Sequence, residues 1–405
     1  MSRPPGRLRR RVAWNLSAQA LWSASNFVLV LLALVSVPAR PFAVFSVAIT
    51  TYYLAAQLAR AVVGIPVLLA GPGPEESPPD GDPSAAMSAS VLLGVAVAVP
   101  VAGIGLLWRE GLGPFLVLAA GLAPLLLQDA LRHLAIARYR PDVATQGDGV
   151  RLASELVLAG AVLAAGWESA TALMGVWVVS AAVSAGWLVV RLDVRPRLER
   201  SVAWYRANLV LCRRLAVEFV MTASGFYVLS YALALLAGAE EVGYLRAAQT
   251  LFGPASVLLL GGAVLGVPEG VRARHEPTQL LRFAARLSVM LAALSVACGV
   301  AVYAVLPSVG PRLFADIWEP VRDVMPALTV YGAALGFAAG PIACLRAVDD
   351  MRWIVTARMA STVVALVIGL PAAAAYGAQG TLAALALSEW VLAVRAWIRL
   401  RARPR

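Results

Sequence analysis

The sequence predicts an all-α polytopic membrane protein: twelve transmembrane helices in two six-helix bundles related by a parallel pseudo-twofold repeat. Three observations carry that prediction. Of 405 residues, 60% are hydrophobic and only 14% charged, with a mean hydropathy of +0.77, whereas a soluble domain carries about 25% charged residues. Apolar runs bounded by Arg, Gly or Pro recur at bilayer-spanning length. The second half of the chain also repeats features of the first at an offset near 200 residues.

The runs fall at about 13–37, 41–69, 84–108, 112–136, 150–166, 169–190, 214–237, 242–267, 280–306, 323–346, 353–375 and 379–398. The first follows a basic leader, MSRPPGRLRRR, that looks like the start of a signal peptide. Its apolar stretch, Val12 to Val37, is too long for an h-region and lacks an A-x-A site, so it is expected to remain as an uncleaved first helix. The fifth run is barely long enough to cross.

Arginine placement sets the orientation. All 34 basic residues are Arg. With the N-terminus inside, 28 of them fall on the cytoplasmic side and only Arg40, Arg109, Arg312 and Arg322 outside, with Arg60 and Arg246 within spans. Both termini are therefore expected in the cytoplasm of a multi-pass plasma-membrane protein. A net charge of +11 is large enough for a nucleic-acid binder, but these arginines flank apolar spans in short loops, which is topology and points away from nucleic acid. The inner loop Gly71 to Pro83 is acidic and holds no arginine; the rule counts basic residues, so this loop is silent.

The longest inner connection, Arg191 to Arg214, contains seven arginines and divides the spans six and six. The expected domains are an N-terminal bundle over 1–190, an arginine-rich cytoplasmic linker over 191–213 and a C-terminal bundle over 214–405. Ser25, Phe27, Phe45 and Ala48 map onto Ser224, Phe226, Tyr244 and Ala247 at a constant offset of 199, and Ile65-Pro66 onto Val267-Pro268 at 202. Six spans is an even number, so both halves start inside and the repeat is parallel.

The second span carries a polar stripe. Ser46, Thr50, Tyr53, Gln57, Arg60 and Gly64 recur at spacings of 4, 3, 4, 3 and 4, within an arc of roughly 80° and over roughly 27 Å. A stripe holding an arginine faces other helices or a water-filled cavity rather than lipid, because a central arginine costs about 2.5–3.5 kcal/mol or more. The first span has its own stripe of Asn15, Gln19, Ser23 and Asn26; interhelical hydrogen bonding and a shared cavity are both open readings of it. In the second half the matching positions include Glu218, Thr222, Gly225 and Tyr227, then Tyr244, Arg246, Gln249, Thr250, Gly253 and Pro254. Arg246 is shallow enough to snorkel to the outer headgroups; otherwise both arginines suit an anionic group such as a diphosphate, which guanidinium grips in a bidentate fork.

Asp129 and Glu155 read as partners of nearby arginines, Asp129 with Arg132 for example. Glu218 and Glu389 are the candidates for proton or sodium coupling. The Asp349-Asp350 pair sits in a short turn between Arg346 and Arg352, where ion pairing explains it. Pro100, Pro124, Pro254, Pro326 and Pro341 fall inside spans and imply kinks. Cys212, Cys298 and Cys344 show no CxxC spacing, and His133 and His275 are isolated, so neither a disulfide, a metal site nor a cofactor is expected. Outer loops are short apart from Pro307 to Arg322, and Asp316 and Glu319 there have no partners from other loops, so no catalytic residue is assigned and an enzyme is not expected.

Two segments carry a family resemblance. QDALRHLAIARYRPDVA at 128–144 resembles the inner end of the fourth span, and YLRAAQTLFGPASVLLLGGAVLGVP at 244–268 the eighth span, of polysaccharide flippases. These belong to the MOP (multidrug/oligosaccharidyl-lipid/polysaccharide) exporter superfamily, which also includes multidrug exporters and lipid II flippases. Most members are somewhat longer. The resemblance implies a V-shaped pair of bundles around a central cationic cavity, with alternating access, in which Arg60 and Arg246 match cavity arginines; Asn26, Tyr53, Gln57 and Gln249 are expected beside them. The cargo it implies is a polyprenyl-pyrophosphate-linked oligosaccharide carried to the outer leaflet. Expected partners are that lipid, membrane lipids, a coupling H+ or Na+, and glycosyltransferases or a polymerase of the same pathway. A multidrug exporter is the alternative; a membrane-embedded glycosyltransferase or polymerase fits less well.

Overall fold

In the computed structural model, residues 5–70, 82–253, 276–314 and 317–402 are described, with 255, 256, 259, 266 and 270–273 between them. The acidic segment 71–81, Pro254, His275 and Asp316 lie outside the described residues, as do the side chains of Asn15, Gln19 and Thr222. The described chain is almost wholly helical and divides into two compact units, Met1–Phe219 and Val220–Arg405.

The first unit contains α1 (Pro5–Ser36), α2 (Ala39–Ala59), α3 (Pro83–Leu107), α4 (Leu112–Ala137), α5 (Pro141–Ala164) and α6 (Ala170–Leu192). Local sequence sets their starts. Asp82 caps α3 by accepting from Ser84 N at 2.9 Å, with Pro83 in the first turn, and Ser169 caps α6 by accepting from Ala172 N at 3.1 Å. Both caps satisfy backbone donors that a helix start leaves orphaned. Helix α4 is central, packing against α2, α3, α5 and α6, and its Leu118, Leu122, Leu125 and Leu126 are fully buried with Phe42, Ile49 and Tyr52 of α2 and Trp177 of α6.

Helix α2 does not simply stop. Arg60–Gly64 form a π turn, after which Ile65–Ala70 continue as α-helix. A π turn inserts a residue and leaves carbonyls without their usual partner. The Cys212 thiol donates to Val62 O at 3.2 Å and fills that role.

Helix α5 begins nine residues before the predicted run 150–166, at Pro141. Its extra turns hold Thr145 and Asp148, both buried; buried polar residues lower hydropathy, so the sequence pattern hid the start of this helix. The predicted linker 191–213 is also structured. Leu198–Arg200 and the short helix Ser201–Ala207 pack on α3 within the first unit. There Arg197 N donates to Ser88 Oγ at 2.5 Å, Tyr205 OH donates to Ala89 O at 3.0 Å, and Arg200 pairs with Asp82 at 3.0 Å.

Helix α7 (Leu209–Leu236) crosses the division between units. The second unit continues with α8 (Ala239–Leu251), α9 (Pro277–Phe314) and α10 (Trp318–Ala347). A final helical stretch, Met351–Arg401, is broken at Tyr376 and Gly377, giving arms α11 (351–375) and α12 (378–401). Gly377 has φ +55°, a conformation suited to glycine, and Glu241 accepts from Ala378 N at 2.7 Å to fix the turn.

By length and composition, seven described helices can cross a bilayer, or eight if the two arms of α7 count as one span. Helix α5 is not among them, since Asp148, Arg151 and Glu155 interrupt its apolar length. The chain is therefore a multi-pass helical membrane protein.

Candidate functional site

The predicted stripe on α2 splits in two. Ser46 and Thr50 are buried and their hydroxyls donate to carbonyls one turn back, Phe42 O and Ser46 O, both at 2.8 Å. Both hydroxyls thus have an acceptor within their own helix. The lower half, Tyr53, Gln57 and Arg60, is half-buried or exposed and forms a polar group.

Arg60 is the centre of that group. Its Nε donates to Asp129 Oδ2 and its Nη2 to Asp129 Oδ1, both at 2.8 Å, while Nη1 reaches Gln57 Oε1 at 3.3 Å. The guanidinium also lies over the Trp22 ring, 4.9 Å from its centroid. Trp22 meets Tyr53 edge-on at 6.5 Å, and its carbonyl accepts from Asn26 Nδ2 at 2.9 Å. The structure thus brings together four predicted residues of the first unit, Asn26, Tyr53, Gln57 and Arg60, through one that sequence reasoning missed. Trp22 sits one turn before Asn26, a helical spacing that was its only signal.

The expected Asp129–Arg132 ion pair is present at 3.6 Å, but it is the weaker of two: Asp129 is held at 2.8 Å by Arg60, and Arg132 Nε binds Asp148, also at 2.8 Å. Gln128 continues the ladder, donating to Asp148 at 3.3 Å and accepting from Arg151 at 3.2 Å. Arg132 and Arg151 are therefore buried inside the helical unit. Among the described residues Glu155 has no arginine within ion-pair distance; Ser25 Oγ donates to it at 2.5 Å. Buried polar atoms with no hydrogen bond among the described residues gather here: Asn26 Oδ1, Tyr52 OH, Arg151 Nε and Nη2, and Glu155 Oε1. Buried polar groups ordinarily find a partner, and a polar cavity large enough for water supplies one.

His133, read as isolated, is not. Its Nδ1 lies 2.7 Å from Asp129 O and 3.6 Å from Asp129 Oδ2, and its ring rests on Gly64 of the π turn.

In the second unit Arg246 and Gln249 are half-buried on α8, and Thr250 Oγ1 donates to Arg246 O at 2.9 Å. Glu389, a predicted ion-coupling residue, is paired with Arg358 at 2.5 Å, while Glu218 lies exposed on α7. The Asp349-Asp350 turn forms an ion pair with Arg399, 2.9 Å from Asp350.

No protein-family profile and no curated protein sequence matches the chain. Solved structures do. An inward-facing multidrug resistance MATE family transporter of the MOP superfamily is similar at a TM-score of 0.70, with 13% identity over 96% of this chain and 97% of that one. The lipid II flippase MurJ in an inward closed conformation gives 0.68, with 10% identity over 95% and 88%. A MOP superfamily transporter from Pyrococcus furiosus, described as having a binding pocket of reverse polarity, gives 0.55, with 13% identity over 98% and 94%. The chain has the fold of these MOP-superfamily transporters.

Proposed function

We propose that this protein is a flippase that carries an anionic, lipid-linked oligosaccharide from the inner to the outer leaflet of the plasma membrane by alternating access. The observation that carries this reading is Arg60. Asp129 holds one edge of its guanidinium, so the fork is pre-oriented, while the Nη1 edge turns to the exposed Gln57 beside Tyr53 and Trp22. An oriented guanidinium edge beside aromatic rings suits a pyrophosphate and the first sugar attached to it. Arg246 and Gln249 are the proposed counterparts in the second half.

The proposed topology is twelve spans with both termini cytoplasmic, as halves 1–190 and 214–405 joined by 191–213. Two pairs of features support a repeat. The α4–α5 turn has Tyr139 at φ +56° with Arg140 N donating to Ala135 O, and the α10–α11 turn has Asp349 at φ +58° with Asp350 N donating to Leu345 O. After each turn the next helix carries an R-x-A-S tetrad, Arg151 to Ser154 and Arg358 to Ser361, at an offset of 207.

A multidrug exporter is the second reading, favoured by the neutralisation of Arg60 by Asp129, which leaves the site open to a cationic drug. A deletion strain of the source organism separates the two. Build-up of a polyprenyl-pyrophosphate oligosaccharide on the cytoplasmic side with loss of a surface polymer is the expected result. An unchanged glycan pool with new sensitivity to cationic compounds selects the exporter. In the same strain Arg246→Ala is expected to restore less than about a tenth of the export given by the wild-type chain, as loss of a charged contact to the cargo implies.

A further inference from the structure

We propose that His133 is a proton-binding residue of the Arg60 site, and that its charge decides how strongly Arg60 attracts an anionic ligand. The inference rests on the reading of Arg60 as an anion-binding group and adds the ion to which that binding is linked.

Three basic side chains surround the Asp129 carboxylate. Arg60 takes both oxygens at 2.8 Å, Arg132 lies 3.6 Å from Oδ1, and His133 Nδ1 lies 3.6 Å from Oδ2. Arg132 is committed to Asp148. With His133 neutral, the two arginines and two aspartates sum to zero, and Asp129 cancels the charge of Arg60. Arg151 and Glu155, further along α5, formally balance each other. A proton on His133 makes the cluster +1, and Asp129 is then shared between His133 and Arg60. The guanidinium has charge to spare only in that state.

The imidazole is built into this position. Nδ1 is 2.7 Å from the Asp129 carbonyl; a carbonyl only accepts, so Nδ1 carries hydrogen and Nε2 is the nitrogen that takes up the proton. The ring lies on Gly64, where a Cβ would come within 3.2 Å of Cγ and Cδ2. The π turn that places Arg60 therefore also makes room for His133. The side chain is 17% exposed, so protons reach it. The charged groups that face it are Asp129 and Arg132 from its own helix and Arg60 from α2. Cys212 of α7 stands one step away at the Val62 carbonyl.

Linkage then fixes the behaviour. A proton on His133 strengthens anion binding at Arg60, and by reciprocity a bound anion strengthens proton binding.

The test uses the full-length protein in lipid nanodiscs with geranylgeranyl pyrophosphate as probe, titrated between about pH 8 and pH 5, the range in which histidine changes charge. Wild-type affinity is expected to rise about tenfold on acidification, within the roughly 5–150-fold span of such couplings. His133→Asn is expected to stay at the weak, high-pH affinity throughout, and His133→Lys at the tight one. The probe's own titration is common to all three proteins and cancels in the comparison. A merely structural histidine would weaken both variants alike. The proposal is overturned if His133→Asn keeps the wild-type pH dependence or if the two variants bind equally. Binding that survives Arg60→Ala is a different failure: it removes Arg60 from the site and with it the reading beneath this one.

Discussion

Replacing Arg60 with leucine is expected to destabilise the folded protein by about 3 kcal/mol and to abolish export; replacing Asp129 as well should restore folding without restoring export. Removing one member of a buried ion pair costs about 3–5 kcal/mol, because it strands the other charge. The two partners differ in burial: the Asp129 side chain is 3% exposed and that of Arg60 24%. Arg60→Leu strands the deeper charge. Arg132 and His133 remain 3.6 Å from it and offset part of the loss, which places the effect at the lower end. Asp129→Leu leaves a guanidinium that still reaches Gln57 and the Trp22 face, so about half that loss is expected. In the double variant no charge is stranded, and apolar replacements of a buried pair are often neutral. Thermal unfolding of the purified protein in detergent measures the cycle, with a coupling of 0.5–3 kcal/mol typical of contacting residues. Arg60→Leu as stable as wild type would mean that the pair does not hold α2 to α4. A double variant that exports would mean that Arg60 does not touch the cargo.

This site was only half legible in the sequence, and the reason is physical. The period of the α2 stripe identified Arg60, Gln57 and Tyr53 correctly as neighbours on one helix face. Period alone does not reveal which hydroxyls bond back to their own helix, as Ser46 and Thr50 do. Nor does it reveal partners on other helices: Asp129 lies 69 residues from Arg60. Hydropathy located most helices for the reason that lipid demands apolar faces, yet it cut α5 short, because Thr145 and Asp148 are buried by hydrogen bonding and pairing rather than by being apolar. His133 was dismissed for lacking a second metal ligand in sequence. The π turn that brings Gly64 against it follows no pattern that spacing encodes. The glycines were a missed signal of another kind. Gly332, Gly336 and Gly340 recur every fourth residue on α10, the small-xxx-small spacing that lets membrane helices touch.

That stripe carries the second large effect. Gly336→Ala is expected to destabilise the second unit, while the same substitution at Gly160 should leave the protein as stable or slightly more so. At Gly336 a Cβ would stand 2.7 Å from Ala292 N and Leu291 C, which are backbone atoms of α9 and have no rotamer by which to retreat. At Gly340 it would meet the Ala284 carbonyl, while Gly332 receives the Phe252 ring. A single methyl at 336 therefore forces α9 and α10 apart, which costs about 1–3 kcal/mol in a packed interior, and leucine there should prevent assembly. Gly160 on α5 has nothing within 4 Å of the added carbon, so only the backbone term remains, up to about 1 kcal/mol in favour of alanine. The two variants should shift the melting temperature in opposite directions, so the sign of the difference is the result to read. Equal shifts would mean that α9 and α10 do not meet backbone to backbone. Opposite shifts would make the α9–α10 contact a rigid element of the second unit, against which α8, bearing Arg246, is packed.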